Sequence, residues 1–322
     1  MTGGAGPQRS ASDHSRGANG DGGGSTNGFG TYLAYRTGAL AAQLVPPALG
    51  APAARGIGRV LSVAMPARRR MVARHLRRAS GGALRGVALE RAVGGAFDSY
   101  ARYWLEMFRL PHEWDRAIDR YFTVEGYEHI EAAQAAGNGV IAALPHLGGW
   151  EWAGAWMASV KQQRLLVVVE PVEPPELFDW FARARAAMGM EVVALGSDTA
   201  SRAVRALKDN RIVCLVADRD LTGDGVDVDF FGERTTLPAG PATLALRTGA
   251  ALLPVAVYFG RRRRHRGVVR PPLDTSRGGG RLRDDIARIT QALAHEFESL
   301  IRVAPEQWHL MQPNWPSDHD RG

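Results

Sequence analysis

Five short apolar runs recur between residues 140 and 257, and segments of helical character separate them. Strands that alternate with helices along a chain are typical of layered α/β folds, in which buried strands form a largely parallel sheet and helices cover its faces. The sequence therefore predicts an α/β fold with a central, mainly parallel sheet flanked by helices. The predicted strands are residues 140–144, 165–169, 192–195, 212–217 and 252–257.

The chain before these strands is predicted to be a helical N-terminal region, because apolar residues recur there at helical spacing from residue 29 to about residue 135. Residues 1–28 are rich in Gly, Ser and Asn without an apolar run, which indicates a disordered tail and not a signal peptide. Residues 29–316 are predicted to form a single domain, followed by a polar tail at 317–322. No stretch approaches the ~20 apolar residues that cross a bilayer.

A histidine and a carboxylate, His146 and Glu151, stand at a predicted strand-to-helix turn with Gly148 and Gly149 between them. On a continuous helix these two side chains would point about 140° apart, but glycines allow the chain to turn sharply. A carboxylate bonded to one ring nitrogen leaves the other free to accept a proton, so the pair is a candidate general base. The alternative is that Glu151 only caps the helix and that His146 is an ordinary loop histidine.

Other chemistries lack their sequence signatures. None of the nine histidines lies four positions from another, and there is one cysteine, so no zinc pattern is present. Nucleophile-elbow, dinucleotide and phosphate-loop motifs are also missing from the sequence. We expect no metal and no cofactor, only an acid/base pair and a positioned substrate. Cys214 lies in a strand-like run and is expected to be a small buried side chain and not a nucleophile.

The turn around His146 resembles the His-x-x-x-x-Asp/Glu motif of membrane-associated acyltransferases, in the branch of lipid A and actinobacterial phosphatidylinositol mannoside acyltransferases. Further similar segments follow in order over roughly residues 85 to 315, and the set resembles the mannoside enzymes more than the lipid A enzymes. The segments are SYARYW at 99–104, Arg185 with MGMEV at 188–192, CLVADRDLT at 214–222, VDFFGE at 228–233, LPAGPA at 237–242 and WHLMQPNW at 308–315.

The resemblance implies a glycerolipid-acyltransferase-like fold and a peripheral enzyme at the cytoplasmic face of the cell membrane. It implies acyl-CoA as co-substrate and a phosphatidylinositol mannoside as acceptor, acylated at a mannose hydroxyl, the primary one at position 6. His146 would be the general base. Acylation of another glycolipid, such as a lipid A-type acceptor, stays open, as does a catalytically silent module that binds anionic membranes.

Several residues take roles from the same resemblance. Asp218, at the carboxyl end of a predicted strand, would be a second carboxylate that reaches the histidine; a strand-ending turn residue paired with Arg219 is the alternative. Amides at Gly148 and Gly149 are candidate donors to the developing oxyanion. Substrate contacts are expected from Glu170, Arg185, Arg219, Phe230 and Phe231, although the charged residues could form surface ion pairs and the two aromatics could belong to the core.

Two carboxylates differ in length from those of the apparent relatives. Most family members carry aspartate where this chain has Glu151, and the mannoside enzymes carry glutamate where it has Asp218. The reciprocal exchange suggests that both carboxylates address the ring of His146.

Two basic patches bear on where the protein works, in a chain of net charge +7. Arg68, Arg69 and Arg70 begin a helical pattern that could lie in an anionic membrane surface with its apolar face down, or could instead be a solvated helix packed on the core. Residues 261–266 are predicted to be a solvated hairpin tip that could also touch phosphates. No nucleic-acid partner is expected, because no recognition motif is present.

Overall fold

A computed structural model describes residues 24–46, 49–112 and 115–319 of the chain. It has the predicted α/β fold, with a seven-stranded sheet in the order β1-β9-β8-β2-β5-β3-β4 and a separate two-stranded ribbon, β6-β7. The strands are β1 Phe122–Glu125, β2 Val140–Leu144, β3 Leu165–Val169, β4 Met190–Ala194, β5 Ile212–Val216, β6 Val226–Phe230, β7 Glu233–Leu237, β8 Ala251–Phe259 and β9 His265–Val269.

The strands β8, β2, β5, β3 and β4 are mutually parallel, while β9 returns antiparallel to β8. Helices precede the sheet and connect its strands, as expected for parallel neighbours. They are α1 Gly24–Leu44, α2 Gly50–Ala64, α3 Pro66–Ala79, α4 Gly86–Arg109, α5 Asp115–Arg120, α6 Tyr127–Ala135, α7 Trp150–Ala155, α8 Pro175–Ala187, α9 Thr199–Lys208, α10 Gly240–Thr248 and α11 Leu282–Val303.

The central strand β2 is buried along its whole length. Its successive side chains point to opposite faces of the sheet, so Ile141 and Ala143 join one hydrophobic cluster, while Val140 and Ala142 join another. Helices cover both faces, which explains why β2 is apolar at every position and not at alternate positions.

The segment after α11 returns to the carboxyl edge of β2. Trp308 forms an antiparallel bridge with Leu147, and Asp318 accepts a hydrogen bond from His75 of α3 at 3.2 Å. Burial alone would raise the pKa of Asp318, but His75, the Asn314 amide and Arg78 hold it well below its usual range. This buried anchor fixes the C-terminal segment against the N-terminal helices.

The predicted strands agree with the observed ones to within two residues at each end, and the predicted helical region is confirmed. Residues 1–23 of the predicted tail lie outside the described residues, but 24–28 form the start of α1. In the predicted polar tail at 317–322, Asp318 is buried, and residues 320–322 lie outside the described residues. The ribbon of β6 and β7 was not predicted. Within the described ranges, no helix is both long and apolar enough to span a membrane.

Candidate active site

The positions of His146 and Asp218 follow from the register of two parallel strands. Leu144 of β2 pairs with Val216 of β5, and the amide of Ala217 donates to the Leu144 carbonyl at 2.9 Å. His146 and Asp218 each lie two residues beyond this pair, at the edge where α/β sheets place ligand-binding groups. Neighbouring strands of equal length therefore bring together residues far apart in the sequence.

Asp218 holds His146 at two points. One carboxylate oxygen, Oδ1, lies 2.6 Å from Nδ1 of the ring, and the other, Oδ2, accepts the backbone amide of His146 at 3.0 Å. Asp218 is fully buried, whereas about a third of the His146 side chain is exposed (33%). Because Nδ1 faces the carboxylate, Nε2 is the nitrogen that is left for a substrate hydroxyl. The predicted contact of Asp218 with the histidine is confirmed, and its alternative pairing with Arg219 is wrong.

The C-terminal segment completes the surroundings of Asp218. The indole N–H of Trp308 donates to Oδ2 at 2.7 Å, and the Asn314 side chain donates to the Asp218 carbonyl at 3.2 Å. Burial alone would raise the pKa of Asp218, but the ring and the backbone amide of His146 and the indole of Trp308 lower it. The carboxylate is therefore ionised, as a partner for an imidazole that gains a proton must be.

Aromatic side chains surround the exposed ring of His146. Trp150 meets it edge to face, with 5.7 Å between the ring centroids, and Trp150 also packs against Tyr103 of α4 at 4.4 Å. His309 donates its amide to the His146 carbonyl at 2.7 Å. Burial and the nearby His146 lower the pKa of His309 to about 3, so this second imidazole is neutral. His146 is the histidine positioned for proton transfer.

Glu151 does not orient His146, contrary to the sequence-based prediction. Its carboxylate forms a two-point ion pair with Arg185, whose Nε donates to Oε2 at 3.1 Å and whose terminal nitrogen binds Oε1. Tyr103 donates its hydroxyl to Oε1 at 3.2 Å. The differences in carboxylate length at Glu151 and Asp218 therefore do not reflect a shared contact with His146, because the two acids bind different partners.

The cluster of Glu151, Arg185 and Tyr103 joins three helices behind the His146 turn. Burial and the adjacent Glu151 raise the pKa of Tyr103 well above its ordinary value, so its phenol stays protonated and donates. Burial alone would lower the pKa of Arg185, but Glu151 raises it. Arg185 was expected to contact the acceptor; its guanidinium binds Glu151 in the structure, and a contact with the acceptor stays a prediction.

The two glycines of the turn are required by packing. Gly148 has φ +61°, and a Cβ there would lie 2.1 Å from the Val257 carbonyl oxygen; a Cβ on Gly149 would lie 2.8 Å from the His265 ring. The Gly148 amide donates to the Gln307 carbonyl at 2.9 Å. It is therefore not free to donate to an oxyanion, contrary to the prediction. The glycines let the turn lie directly on β8 and β9.

The other predicted substrate residues divide into two groups. Arg219 lies at the carboxyl edge of the sheet and binds Glu170 at 2.7 Å, so the alternative of an ion pair holds for these two. Phe230 and Phe231 belong to the core and do not form an open substrate wall. Phe231 packs against Trp308, with 5.6 Å between the ring centroids, and so lies behind the indole that binds Asp218.

Trp308, Tyr103 and His309 were not predicted as site residues. Trp308 and His309 lie about 160 residues from His146 in the sequence, and spacing gives no indication that they meet. Only the family resemblance could have indicated that these three residues belong to the site, because its segments at 99–104 and 308–315 contain them. Within the described ranges, no three His, Cys, Asp or Glu side chains are grouped so that they could hold a metal ion.

Comparisons with known proteins show which proteins this chain resembles. Residues 26–317 match the family model described as bacterial lipid A biosynthesis acyltransferase. The phosphatidylinositol mannoside acyltransferase of Mycobacterium tuberculosis H37Rv is 43% identical over 233 residues, which cover 69% of this chain and 70% of that protein. The protein of the same name from Mycolicibacterium smegmatis is 42% identical over 234 residues, 70% of this chain and 73% of its own length.

We expect Trp308→Phe to raise the pKa of Asp218 towards its ordinary value, because the carboxylate loses a hydrogen bond that favours its charged form. The free energy of unfolding should fall by about 1–3 kcal/mol, since a hydrogen bond to a buried charged group is lost. Carbon-13 NMR titration of the carboxyl group and urea unfolding measure the two effects. Trp156→Phe is the matched control, since that indole binds Asp119. If the pKa of Asp218 is unchanged in Trp308→Phe, the indole does not lower it.

We expect Glu151→Gln and Arg185→Gln to be strongly coupled, because each leaves the other's charge buried and unpaired. A double-mutant cycle on the free energy of unfolding should give an interaction of about 1–3 kcal/mol. The parallel cycle of Glu151→Gln with Asp218→Asn should be closer to additive. If Glu151 were coupled to Asp218 as strongly as to Arg185, the sequence-based expectation that both carboxylates bind the ring of His146 would be restored.

Proposed function

The chain belongs to the bacterial lipid A biosynthesis acyltransferase family, and we propose that it moves a long acyl chain from acyl-CoA to a mannose hydroxyl of phosphatidylinositol mannosides. The observation that carries this proposal is the contact of His146 with a buried, ionised Asp218. A histidine whose Nδ1 faces such a carboxylate and whose ring is partly exposed is suited to act as a general base.

In the proposed reaction, Nε2 of His146 takes the proton of the acceptor hydroxyl while its oxygen attacks the thioester carbonyl. A C–O bond forms, and the tetrahedral intermediate then expels the thiolate as the C–S bond breaks. The proton held by His146 can pass to the departing sulfur, so the ring returns to its starting state. Asp218 stabilises the imidazolium that exists between these steps.

Direct transfer needs no acyl-enzyme, and the environment of Cys214 supports this. Burial, and then the charge of Glu151, raise the pKa of the Cys214 thiol to about 12. Nucleophilic cysteines need the thiolate form, which this environment disfavours. Cys214 lies within β5 and pairs with Ala142 of β2, so it is a packing residue of the sheet.

The acceptor is proposed from the names of the mycobacterial relatives and from the carboxyl edge of the sheet. Arg219 and Glu170 follow the ends of β5 and β3, which are the first and second strands on one side of β2, the strand that leads to His146. The Nε of Arg219 is buried and has no hydrogen-bond partner among the described residues. A sugar hydroxyl or phosphate oxygen could accept from it, which supports an acceptor at this edge with its mannose position 6 near His146.

The membrane location is proposed on a different surface from the one that the sequence suggested. The apolar side of α3 packs on the core through Val72, Leu76 and Ala79, and Arg69 binds Glu90, so this helix cannot lie apolar face down in a membrane. Arg68 and Arg70 stay exposed. Large apolar side chains are exposed on the preceding helices α1 and α2, at Leu33, Leu40, Leu44, Ile57, Val60 and Val63.

These exposed side chains support peripheral attachment to the cytoplasmic membrane face, where apolar residues enter the interface and arginines meet anionic headgroups.

The proposed reaction predicts that purified His146→Ala transfers acyl groups about 10²- to 10⁴-fold more slowly, because the general base is lost. The measurement is acyl-CoA consumption with a phosphatidylinositol mannoside, with a lipid A-type acceptor and without acceptor. His112→Ala removes an exposed histidine and is the control. Transfer that is equally fast with the lipid A-type acceptor would reassign the acceptor, and near-normal transfer by His146→Ala would exclude this residue as the base.

The membrane proposal predicts that Val60→Ser with Val63→Ser weakens binding to phosphatidylinositol-containing vesicles even at high salt, because apolar burial is lost. Arg68→Gln with Arg70→Gln should weaken it mainly at low salt, with about 1 kcal/mol lost per arginine. Vesicle sedimentation across ionic strengths separates the two effects. If neither pair of substitutions changes partitioning, the protein does not dock through this surface.

A further inference from the structure

A cavity of about 680 Å³ lies beside the active site, outside the machinery described above. Its walls come from α4, the start of α2, the junction of α5 with β1, Trp152 of α7, and the turn between β8 and β9. A volume of this size falls in the range of small-molecule sites, about 300–1,000 Å³. The cavity is therefore large enough for a ligand much bigger than a single ion.

The lining of this cavity is strongly cationic. Six arginines face it, against Glu106 as the one acidic residue of the lining. Glu106 is already engaged, since it binds the His265 ring at 2.6 Å and Arg102 at 2.7 Å. Burial alone would raise the pKa of Glu106, but His265 and Arg102 lower it, so its charge is retained and neutralised by these partners. The six arginines are Arg102, Arg109, Arg120, Arg262, Arg263 and Arg264.

Four of these arginines have no carboxylate partner among the residues that the structure describes: Arg109, Arg120, Arg262 and Arg264. Like charges brought together repel one another, so an anion bound among these arginines would be stabilised. Arginine presents a planar fork of N–H donors that matches phosphate oxygens two at a time. The cluster has the charge and the donor geometry of a phosphate site.

The turn between β8 and β9 is held against α4. Arg102 donates to the Gly260 carbonyl at 2.9 Å, and the Gly260 amide donates to the Arg264 carbonyl at 2.7 Å. Arg262 adopts φ +58°, a left-handed conformation that costs energy for a side chain of this kind and that recurs at functional sites. Arg261, Arg262 and Arg264 are exposed, as predicted for a solvated hairpin tip, and residues 262–264 also form a wall of the cavity.

The cavity also borders the catalytic turn. Trp152 and Glu106 line it, and the same two side chains line a smaller cleft together with Tyr103, Gly149 and Glu151. Tyr103 packs on Trp150, which meets the ring of His146. The arginine-lined cavity therefore shares two wall residues with the packing behind the His146 turn.

We propose that this arginine-lined cavity binds the phosphate ester groups of a substrate. The identity of the substrate rests on the proposed function, which offers two sources of this chemistry. One is the diphosphate and 3′-phosphate of coenzyme A, and the other is the phosphodiester of the inositol lipid headgroup. Both are small phosphate esters joined to a part that must reach His146, whereas a bare counter-ion would use only a fraction of the cavity.

Equilibrium binding to the purified full-length protein tests this proposal without any acyl transfer. The probes are coenzyme A with adenosine 3′,5′-bisphosphate for the first source, and soluble glycerophosphoinositol for the second. We expect the Kd of one source to rise about tenfold or more in Arg109→Gln with Arg120→Gln, and likewise in Arg262→Gln with Arg264→Gln. Binding by the wild type should weaken with added salt.

The control is Arg247→Gln with Arg283→Gln, which removes the same charge from exposed positions outside the cavity. It should bind both probes as the wild type does, and circular dichroism checks that every variant is folded. The probe whose affinity falls identifies the source of the phosphate. The proposal is overturned if the wild type binds neither source, if the cavity variants bind both normally, or if the control loses as much affinity. Because no acyl group is present, these outcomes are independent of whether His146 catalyses transfer.

Discussion

The buried carboxylate of Asp218 is the constraint around which the site is organised. An ionised group removed from water costs several kcal/mol unless its oxygens are hydrogen bonded. Asp218 meets this requirement with the ring of His146, the backbone amide of His146 and the indole of Trp308. The first two partners need the register of β2 with β5, and the third needs the C-terminal segment to return over the sheet. The fold and the candidate base thus stabilise each other.

A second buried charge supports the first without touching it. Glu151 is bound by Arg185 and Tyr103, and these contacts hold the first turn of α7 against α8 and α4. The turn that carries His146 is therefore fixed on one side by its own carboxylate partner and on the other by this ion pair. The acid of the His-x-x-x-x-Asp/Glu motif acts here through position, since its oxygens face Arg185 and not the imidazole.

The sequence predicted the sheet well because each buried parallel strand is a continuous apolar run, such as residues 140–144 and 165–169. It also identified His146 and Asp218, although Asp218 was found through resemblance and not through spacing. Glu151 was assigned to the wrong partner, because a sequence cannot show which way a buried carboxylate points once two glycines turn the chain. Trp308 was missed because its contact with Asp218 closes a loop of some 90 residues. The turn at 261–266 was predicted to be a solvated tip, and Arg261, Arg262 and Arg264 are exposed, but the cavity that residues 262–264 line could not be predicted because distant elements build it.

The central claim is that Asp218 fixes the ring of His146 with its proton on Nδ1 and leaves Nε2 as the basic nitrogen. Nitrogen-15 NMR of the histidine side chains measures this directly, with His146 assigned by its loss in His146→Ala. The account predicts that the neutral ring carries its proton on Nδ1, and that Asp218→Asn abolishes this preference while the protein stays folded. A neutral ring protonated on Nε2 in the wild type, or a tautomer that Asp218→Asn leaves unchanged, would contradict it.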